Sequence, residues 1–141
     1  MSHILEIKDL QVQYHTEDGT VYALNHVDLE LDDGETLGLV GETGAGKTTL
    51  AKSIMRLIPD PPGKIEGGVI EFEGRDLLKA SGAEIRAVRG NQISMIFQEP
   101  MTSLNPVYRV KRQLEEMIRL HQPELSKQDT YQRALNILTR V

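Results

Sequence analysis

Eight residues at positions 41–48 restrict the possible folds of this chain more than any other feature of its sequence. They read Gly-Glu-Thr-Gly-Ala-Gly-Lys-Thr and match every fixed position of the pattern G-x-x-x-x-G-K-[ST]. At this chain's own frequencies of Gly, Lys, Ser and Thr, a chance match has a probability of roughly 0.5%. The pattern requires a buried strand before it and a helix after it, so it predicts a strand–loop–helix unit.

The residue types in this segment suit a loop that binds phosphate groups. Glycine at three positions lets backbone N–H groups approach phosphate oxygens, and the N-terminus of the following helix favours anions. Lys47 adds a positive charge for the terminal phosphates, and the hydroxyl of Thr48 suits Mg²⁺. The alternative is a glycine-rich turn with a surface lysine. The residues expected to contact the phosphates are Gly41, Glu42, Thr43, Gly44, Ala45, Gly46, Lys47, Thr48 and Thr49.

Two nearly continuous apolar segments lie at residues 36–40 and 93–97. Runs of this kind predict strands that are buried on both faces, as in a parallel sheet. Between them, apolar residues recur every three or four positions. This spacing predicts a helix over residues 48–58, which Pro59 ends.

The remaining chain predicts antiparallel strands first and helices last. Apolar and polar residues alternate around Val12 and again around Leu29, and turn residues follow each run. Further predicted elements are a strand over residues 69–72, helices over 83–88 and 108–120, and a last helix opened by Ser126 as its N-cap. This order predicts an α/β chain with an antiparallel β start and helices at its C-terminal end.

Composition excludes several classes of function. The 141 residues suit one domain, and their net charge of −5 argues against a general nucleic-acid binder. The absence of cysteine excludes disulfides and thiolate metal sites, and the four histidines stand apart in the sequence, so we expect no zinc site. No apolar run is long enough for a membrane span, and the N-terminus does not resemble a signal peptide. We therefore expect a soluble, cytosolic chain.

Beyond the phosphate loop, the sequence resembles the ATP-binding subunit of ABC transporters over nearly its whole length. The similarity includes Leu-Asp-Asp-Gly-Glu-Thr-Leu-Gly-Leu-Val at residues 31–40 and Met-Ile-Phe-Gln-Glu-Pro at residues 95–100. The more specific segment Met-Thr-Ser-Leu-Asn-Pro at residues 101–106 is similar to the dipeptide/oligopeptide importer branch, which also carries nickel. The resemblance implies an incomplete P-loop NTPase core with an N-terminal antiparallel β subdomain, and ATP and Mg²⁺ as cofactors.

The resemblance also implies roles for individual residues. Tyr14 matches the aromatic residue that stacks on adenine, with Tyr22 as the competing candidate and core packing of Tyr14 as the alternative. Lys47 and Gln98 match catalytic positions, and Thr48 and Gln98 match positions that contact Mg²⁺. The loop at residues 99–108 would face transmembrane permease subunits. A second ATP-binding subunit and a location on the cytoplasmic face of the membrane are implied as well.

Several family features are absent from the sequence. No glycine follows Pro106, so the glycine-rich signature segment does not occur, and no apolar strand ends in Asp-Glu. His121 lies too early to match the switch histidine. We therefore expect the N-terminal portion of a nucleotide-binding domain, with the β-rich start and P-loop core at residues 1–100 and the Q-loop and start of the helical subdomain at 98–141. We expect its phosphate-loop strand to be partly unpaired, and the chain alone to hydrolyse ATP weakly or not at all.

Two other functions remain open at this point. A small-metabolite kinase of the P-loop class would need a lid with several arginines, for which Arg86 and Arg89 are the candidates. A non-catalytic interaction module would bind nucleotide or the membrane partner without turnover.

Overall fold

A computed structural model describes residues 3–99 and 103–141 of the chain. The chain divides into two compact units, Met1–Ile93 and Ser94–Val141. Strands and helices occur in the order β1 (Leu5–Thr16), β2 (Gly19–Leu31), α1 (Lys47–Ile54), β3 (Gly63–Phe72), β4 (Arg75–Asp76), α2 (Gly82–Val88), α3 (Val110–His121) and α4 (Lys127–Leu138).

The first unit contains a four-stranded antiparallel sheet in the order β2-β1-β3-β4. The predicted antiparallel start is therefore confirmed. Alternation along β1 is interrupted once, because Ile7 and Leu10 are both fully buried although three positions separate them. The register with both neighbours shifts here, and Asp9 takes a left-handed φ of 52°. This bulge restores the apolar side chains to the inner face of the sheet.

The hydrophobic core of the first unit lies on that inner face. Strand residues from β1, β2 and β3 pack there with Leu50 of α1 and with Ile85 and Val88 of α2. Burial of these side chains supplies the main driving force for ordering the two short helices, since helices of eight and seven residues are unstable in isolation. The core therefore fixes α1, and with it the loop that precedes α1.

Helix α1 ends at Ile54, four residues earlier than the predicted end at residue 58. Arg56 adopts a left-handed φ of 50°. The Leu57 N–H then bonds the Lys52 carbonyl at 2.8 Å, and the Arg56 N–H bonds the Ser53 carbonyl at 2.9 Å. This pair of bonds is a Schellman termination, which uses the orphan carbonyls of the last turn. Leu57 and Ile58 continue the helical spacing of apolar residues but lie beyond this termination, so the predicted helix end was wrong.

Both strands predicted to be buried on two faces are wrong for this structure. Residues 36–40 have no strand assignment, and Val40 is 91% exposed. Of residues 93–97, only Ile93 forms a bridge, to Arg89, and Ile96 is 98% exposed. A strand of this type needs hydrogen-bonded neighbours on both sides, and no strand of the described residues pairs with either segment.

The second unit contains the two C-terminal helices, α3 and α4. The helix predicted over residues 108–120 is observed as α3, and the helix predicted to begin after Ser126 is observed as α4. The Ser126 hydroxyl accepts the Asp129 N–H at 3.2 Å, so the predicted N-cap is confirmed. Ile118 and Ala134 are buried in this unit. Within the described part of the chain, no helix combines the length and apolarity required to cross a bilayer.

Candidate phosphate-binding site

The loop of residues 41–46 leads directly into α1, as the sequence predicts. Residues 41–45 are exposed, and the Ala45 N–H closes a turn onto the Glu42 carbonyl at 3.2 Å. Gly44 and Gly46 have φ values of 86° and 82°, which belong to the left-handed region. Glycine adopts this region without the strain that a Cβ causes, so these two residues determine the path of the loop.

Gly46 also makes the closest approach between the loop and the sheet. A Cβ at this position would lie 2.5 Å from the carbonyl oxygen of Ala23 and 3.0 Å from the Leu24 side chain. By contrast, a Cβ at Gly44 would meet no atom within 4 Å. The absence of a side chain at Gly46 therefore lets the start of α1 pack directly on β2.

Lys47 folds back over the loop that precedes it. Its ammonium donates to the carbonyl oxygens of Gly41 and Glu42, both at 2.6 Å. An ammonium has three N–H donors, so two of them hold the loop in shape. Because both partners are neutral carbonyls, these bonds leave the positive charge of Lys47 uncompensated by any carboxylate.

The N-terminus of α1 is suited to an anion. Gly46 is the N-cap residue and offers no side-chain acceptor, and the first turn contains no acidic residue. The first backbone bond of the helix is the one from the Leu50 N–H to the Gly46 carbonyl at 2.8 Å. Backbone N–H groups and the helix dipole at such a start favour negative charge. Thr48 is exposed in this first turn, and its hydroxyl is of the oxygen type that Mg²⁺ prefers.

Together these residues fit the phosphate groups and Mg²⁺ of a nucleotide. The loop is exposed, the helix start lacks a side-chain cap, and the Lys47 ammonium stands beside the loop carbonyls. An ordinary glycine-rich turn with a surface lysine does not require that the glycines be left-handed and that the lysine also bond back across the loop. The geometry therefore favours the phosphate-binding interpretation over the simple turn.

The two candidate aromatic residues lie in different surroundings. Tyr14 pairs with Val21 of β2 and Gly63 of β3, and its ring packs so closely on Gly63 that a Cβ there would lie 2.7 Å from Cε1. Its side chain is half-buried against the core. Tyr22 is 66% exposed on β2. Stacking of Tyr14 on adenine stays a prediction, because the ring already serves core packing on one side.

Gln98 belongs to the second unit, where it lies in an exposed bend. The strand that was predicted to present it is not formed, so its role toward Mg²⁺ stays a prediction. Of the predicted partner-facing loop, Pro100, Met101 and Thr102 lie outside the described residues. The described remainder, Glu99 and residues 103–108, is exposed.

Sequence analysis considered Arg89 only as a lid candidate and missed its hydrogen bonds to the C-terminal end of α1. Arg89 donates through Nε to the Met55 carbonyl at 2.8 Å and through Nη2 to the Arg56 carbonyl at 2.7 Å. Arg56 in turn donates to the Ala80 carbonyl at 2.6 Å. Since Arg89 is fixed in this way, it does not supply the mobile lid that a small-metabolite kinase would need.

His3 is not isolated, contrary to the expectation from its position in the sequence. Its Nε2 lies 3.5 Å from a carboxylate oxygen of Glu30. One ring nitrogen of His3 and one carboxylate oxygen from each of Glu6 and Glu30 lie within 4.8 Å of one another, which is close enough for a shared metal ion. Lys8, however, bonds Glu6 at 2.8 Å, and this hydrogen bond is the largest cause of a raised pKa at Lys8. The ammonium of Lys8 therefore already balances the negative charge of these carboxylates, and an ion-pair network on the outer face of the sheet accounts for the cluster.

Comparisons with known proteins agree with this geometry. The sequence profile of the family described as "ABC transporter" matches residues 24–141. An oligopeptide transport ATP-binding protein, OppD of Bacillus subtilis, is 45% identical over the whole chain, which spans 39% of that protein. A dipeptide transport ATP-binding protein, DppD of Lactococcus lactis, is 42% identical over 98% of the chain and is likewise covered to 39%. The chain thus spans well under half the length of these relatives.

Solved structures show the same fold at lower sequence identity. The ATP-binding cassette MJ0796, in a dimeric post-hydrolysis state bound to ADP and Pi, superposes with a TM-score of 0.76 at 22% identity. The alignment covers 96% of this chain and 56% of that one. At this level of identity the comparison establishes the fold alone.

Proposed function

The chain belongs to the ABC transporter family, and on that basis we propose that it forms the nucleotide-binding part of an importer subunit that takes up peptides. In this proposal residues 41–49 hold the phosphates of ATP, and Thr48 and Gln98 contact Mg²⁺. Tyr14 stacks on adenine. ATP when bound supplies the free energy that transport requires.

One observation carries this proposal: the Lys47 ammonium bridges the carbonyls of Gly41 and Glu42 at the start of an uncapped helix. This arrangement holds the loop open toward solvent with a positive charge at its rim. Incoming phosphate oxygens would be bound by the backbone N–H groups and by the ammonium. The chemistry of the site thus matches a nucleotide, whichever solute the transporter carries.

The solute class rests on the names of the relatives. The two relatives described above transport an oligopeptide and a dipeptide according to their names. We assign peptides, or similar small solutes, to the full protein by this similarity. We further propose that residues 99–108 contact transmembrane permease subunits, that the subunit pairs with a second ATP-binding subunit, and that it works at the cytoplasmic face of the membrane.

In this proposal the full protein hydrolyses ATP, and this chain alone does not do so to a significant extent. Phosphoryl transfer to water needs an oriented nucleophile, and the family's glutamate for that task has no counterpart in these 141 residues. In the full protein that we propose, the exposed apolar side chains of Val40 and Ile96 would be covered by strand neighbours. We therefore expect ATP binding without significant turnover for this chain alone.

Peptide uptake in cells tests the proposal directly. Cells that lack the gene receive the full-length protein, either unchanged or with Lys47→Ala, and uptake of a radiolabelled peptide is measured. We expect uptake only with the unchanged protein. Equal uptake with Lys47→Ala would contradict a role for the phosphate loop, and failure of the unchanged protein to bind Mg-ATP would contradict the proposal as a whole.

A further inference from the structure

Residues 105–108 of the second unit form a tight turn, which we call the docking turn. The Tyr108 N–H bonds the Asn105 carbonyl at 3.2 Å, and the Val107 N–H bonds the Asn105 side-chain oxygen at 2.9 Å. Pro106 occupies the second position of the turn, where its fixed φ is favourable. Local sequence alone therefore gives the turn a preferred shape.

Gln113 of α3 bonds this turn through both its side-chain amide oxygen and its side-chain amide nitrogen. Its Oε1 accepts the Asn105 N–H at 2.8 Å. Its Nε2 donates to the Asn105 carbonyl at 3.0 Å and to the Tyr108 carbonyl at 2.9 Å. One side chain thus bonds both ends of the docking turn and joins it to the first turns of a helix.

Only an amide of this length satisfies all three partners. The turn presents one N–H and two carbonyl oxygens, so the side chain must both accept and donate. A glutamate at position 113 would keep the bond to the Asn105 N–H but would set a carboxylate oxygen against two carbonyl oxygens. A leucine would occupy a similar volume and form none of the bonds.

The turn held in this way exposes apolar side chains. Val107 is 84% exposed, and Leu104 and Tyr108 are each close to half exposed. The guanidinium of Arg112 lies 4.4 Å from the centre of the Tyr108 ring and fixes that ring as well. Apolar side chains that are exposed on a rigid backbone bind a partner with little further loss of conformational entropy.

We propose that Gln113 is a positioning residue, which keeps the docking turn in the shape that the transmembrane partner recognises. This inference rests on the proposed function, in which residues 99–108 contact permease subunits. It adds that affinity for the partner depends on the side-chain amide of Gln113, a residue outside that loop. The partner contributes an apolar cytoplasmic segment that covers Leu104, Val107 and Tyr108.

The test compares Gln113→Glu and Gln113→Leu with the unchanged full-length protein. Association with the detergent-solubilised transmembrane subunits is measured by surface plasmon resonance, and ATP affinity is measured separately to count folded protein. The matched control is Gln132→Glu, which makes the same chemical change on an exposed face of α4. Hydrogen exchange of the Asn105 amide reports whether the turn itself has loosened.

We expect both Gln113 variants to bind the membrane subunits about ten-fold more weakly or worse, with unchanged ATP affinity, and we expect faster exchange at Asn105 in Gln113→Leu, which loses the bond to that amide. The Gln132→Glu control should match the unchanged protein. Equal partner affinity for all four proteins would overturn the inference and leave the proposed function standing. If the unchanged protein binds ATP but not the membrane subunits, the proposed partner and the inference both fail.

Discussion

The ammonium of Lys47 lies 2.6 Å from the carbonyl oxygen of Gly41, and this bond spans the whole phosphate loop. A carboxylate partner would place a negative charge beside this ammonium, whereas its two carbonyl partners carry no net charge. The same residue therefore shapes the loop and, in the proposed function, attracts the nucleotide. Nucleotide binding and loop stability are therefore measured separately in the predictions below.

The first prediction concerns the ligand. Mg-ATP should stabilise the chain by about 2.7 kcal/mol at one hundred times its Kd, and Lys47→Ala should remove most of this stabilisation because the attracting charge is lost. The measurement is the shift of Tm with added Mg-ATP. Lys52→Ala, five residues after Lys47 on the same helix, is the control and should retain the shift. A full shift in Lys47→Ala would show that the lysine has no part in binding.

The second prediction separates backbone strain from steric overlap at two glycines. Gly44→Ala and Gly46→Ala both place a Cβ at a left-handed φ, but only Gly46 lies against Ala23. We expect a loss of about 1 kcal/mol in the free energy of unfolding for Gly44→Ala and of about 3 kcal/mol or more for Gly46→Ala. Urea unfolding measures both values. Equal losses would mean that the contact with β2 does not constrain the loop.

The third prediction concerns the support of α1 by Arg89. Arg89→Lys should lower the free energy of unfolding by about 1.5–3 kcal/mol, since one ammonium does not reproduce the forked contact with the Met55 and Arg56 carbonyls. Arg86→Lys, at an exposed position of the same helix α2, should change it by less than about 0.5 kcal/mol. Thermal or urea unfolding tests this pair. A neutral Arg89→Lys would show that the helix end is stable without the guanidinium.

The fourth prediction is a pH dependence at the start of α2. The Ser81 hydroxyl and then the Ser81 backbone N–H bond the Glu84 carboxylate, and they lower its pKa below the usual 4.5. A depressed folded-state pKa adds stability above pH 4.5, and this contribution is lost as the pH falls through the folded-state value. NMR titration of the Glu84 carboxyl should show the lowered pKa.

Ser81→Ala serves as the control for this pH effect, because it removes the first of the two bonds and should return the Glu84 pKa toward 4.5. Glu84→Gln should keep the capping contact but lose the pH dependence that Glu84 contributes between pH 4.5 and the folded-state pKa. An unchanged titration of Glu84 in Ser81→Ala would contradict the assigned cause.

The fifth prediction uses the exposed segment before the phosphate loop. Val40→Lys should change the stability of this chain by less than about 0.5 kcal/mol, because the side chain is already in water. Val12→Lys should cost more than about 4 kcal/mol, since it buries an unpaired charge in the sheet. Chemical unfolding of both variants tests the contrast. A large loss for Val40→Lys would show that residues 36–40 are packed in solution.

Much of the fold could be predicted from local patterns. Alternation along β1 and β2 and the Ser126 cap act over a few residues, and each was confirmed. The helix α1 was predicted too long, because its periodic apolar residues continue past a chain reversal at Arg56. Arg89, which lies far along the sequence, donates hydrogen bonds to the Met55 and Arg56 carbonyls at that reversal.

Some features of the candidate site were likewise predictable from the sequence, and others were not. The pattern at residues 41–48 identified the loop, and the structure places Lys47 and the helix start where that pattern requires them. The packing of Gly46 on Ala23 and the three bonds of Gln113 to the docking turn had no signal in the sequence. Both depend on side-chain or backbone groups that only folding brings together.

The sequence by itself determined the strand-free glycine loop that leads into α1 and the periodicity of most elements, and it predicts phosphate binding there, because these features depend on residue type at short spacing. Tertiary structure decided where α1 ends, which glycine lies against the sheet, and that residues 36–40 and 94–97 form no strand. The physical reason is that an apolar run favours burial but does not supply its own hydrogen-bonding neighbours. A strand forms only where another strand is present to pair with it.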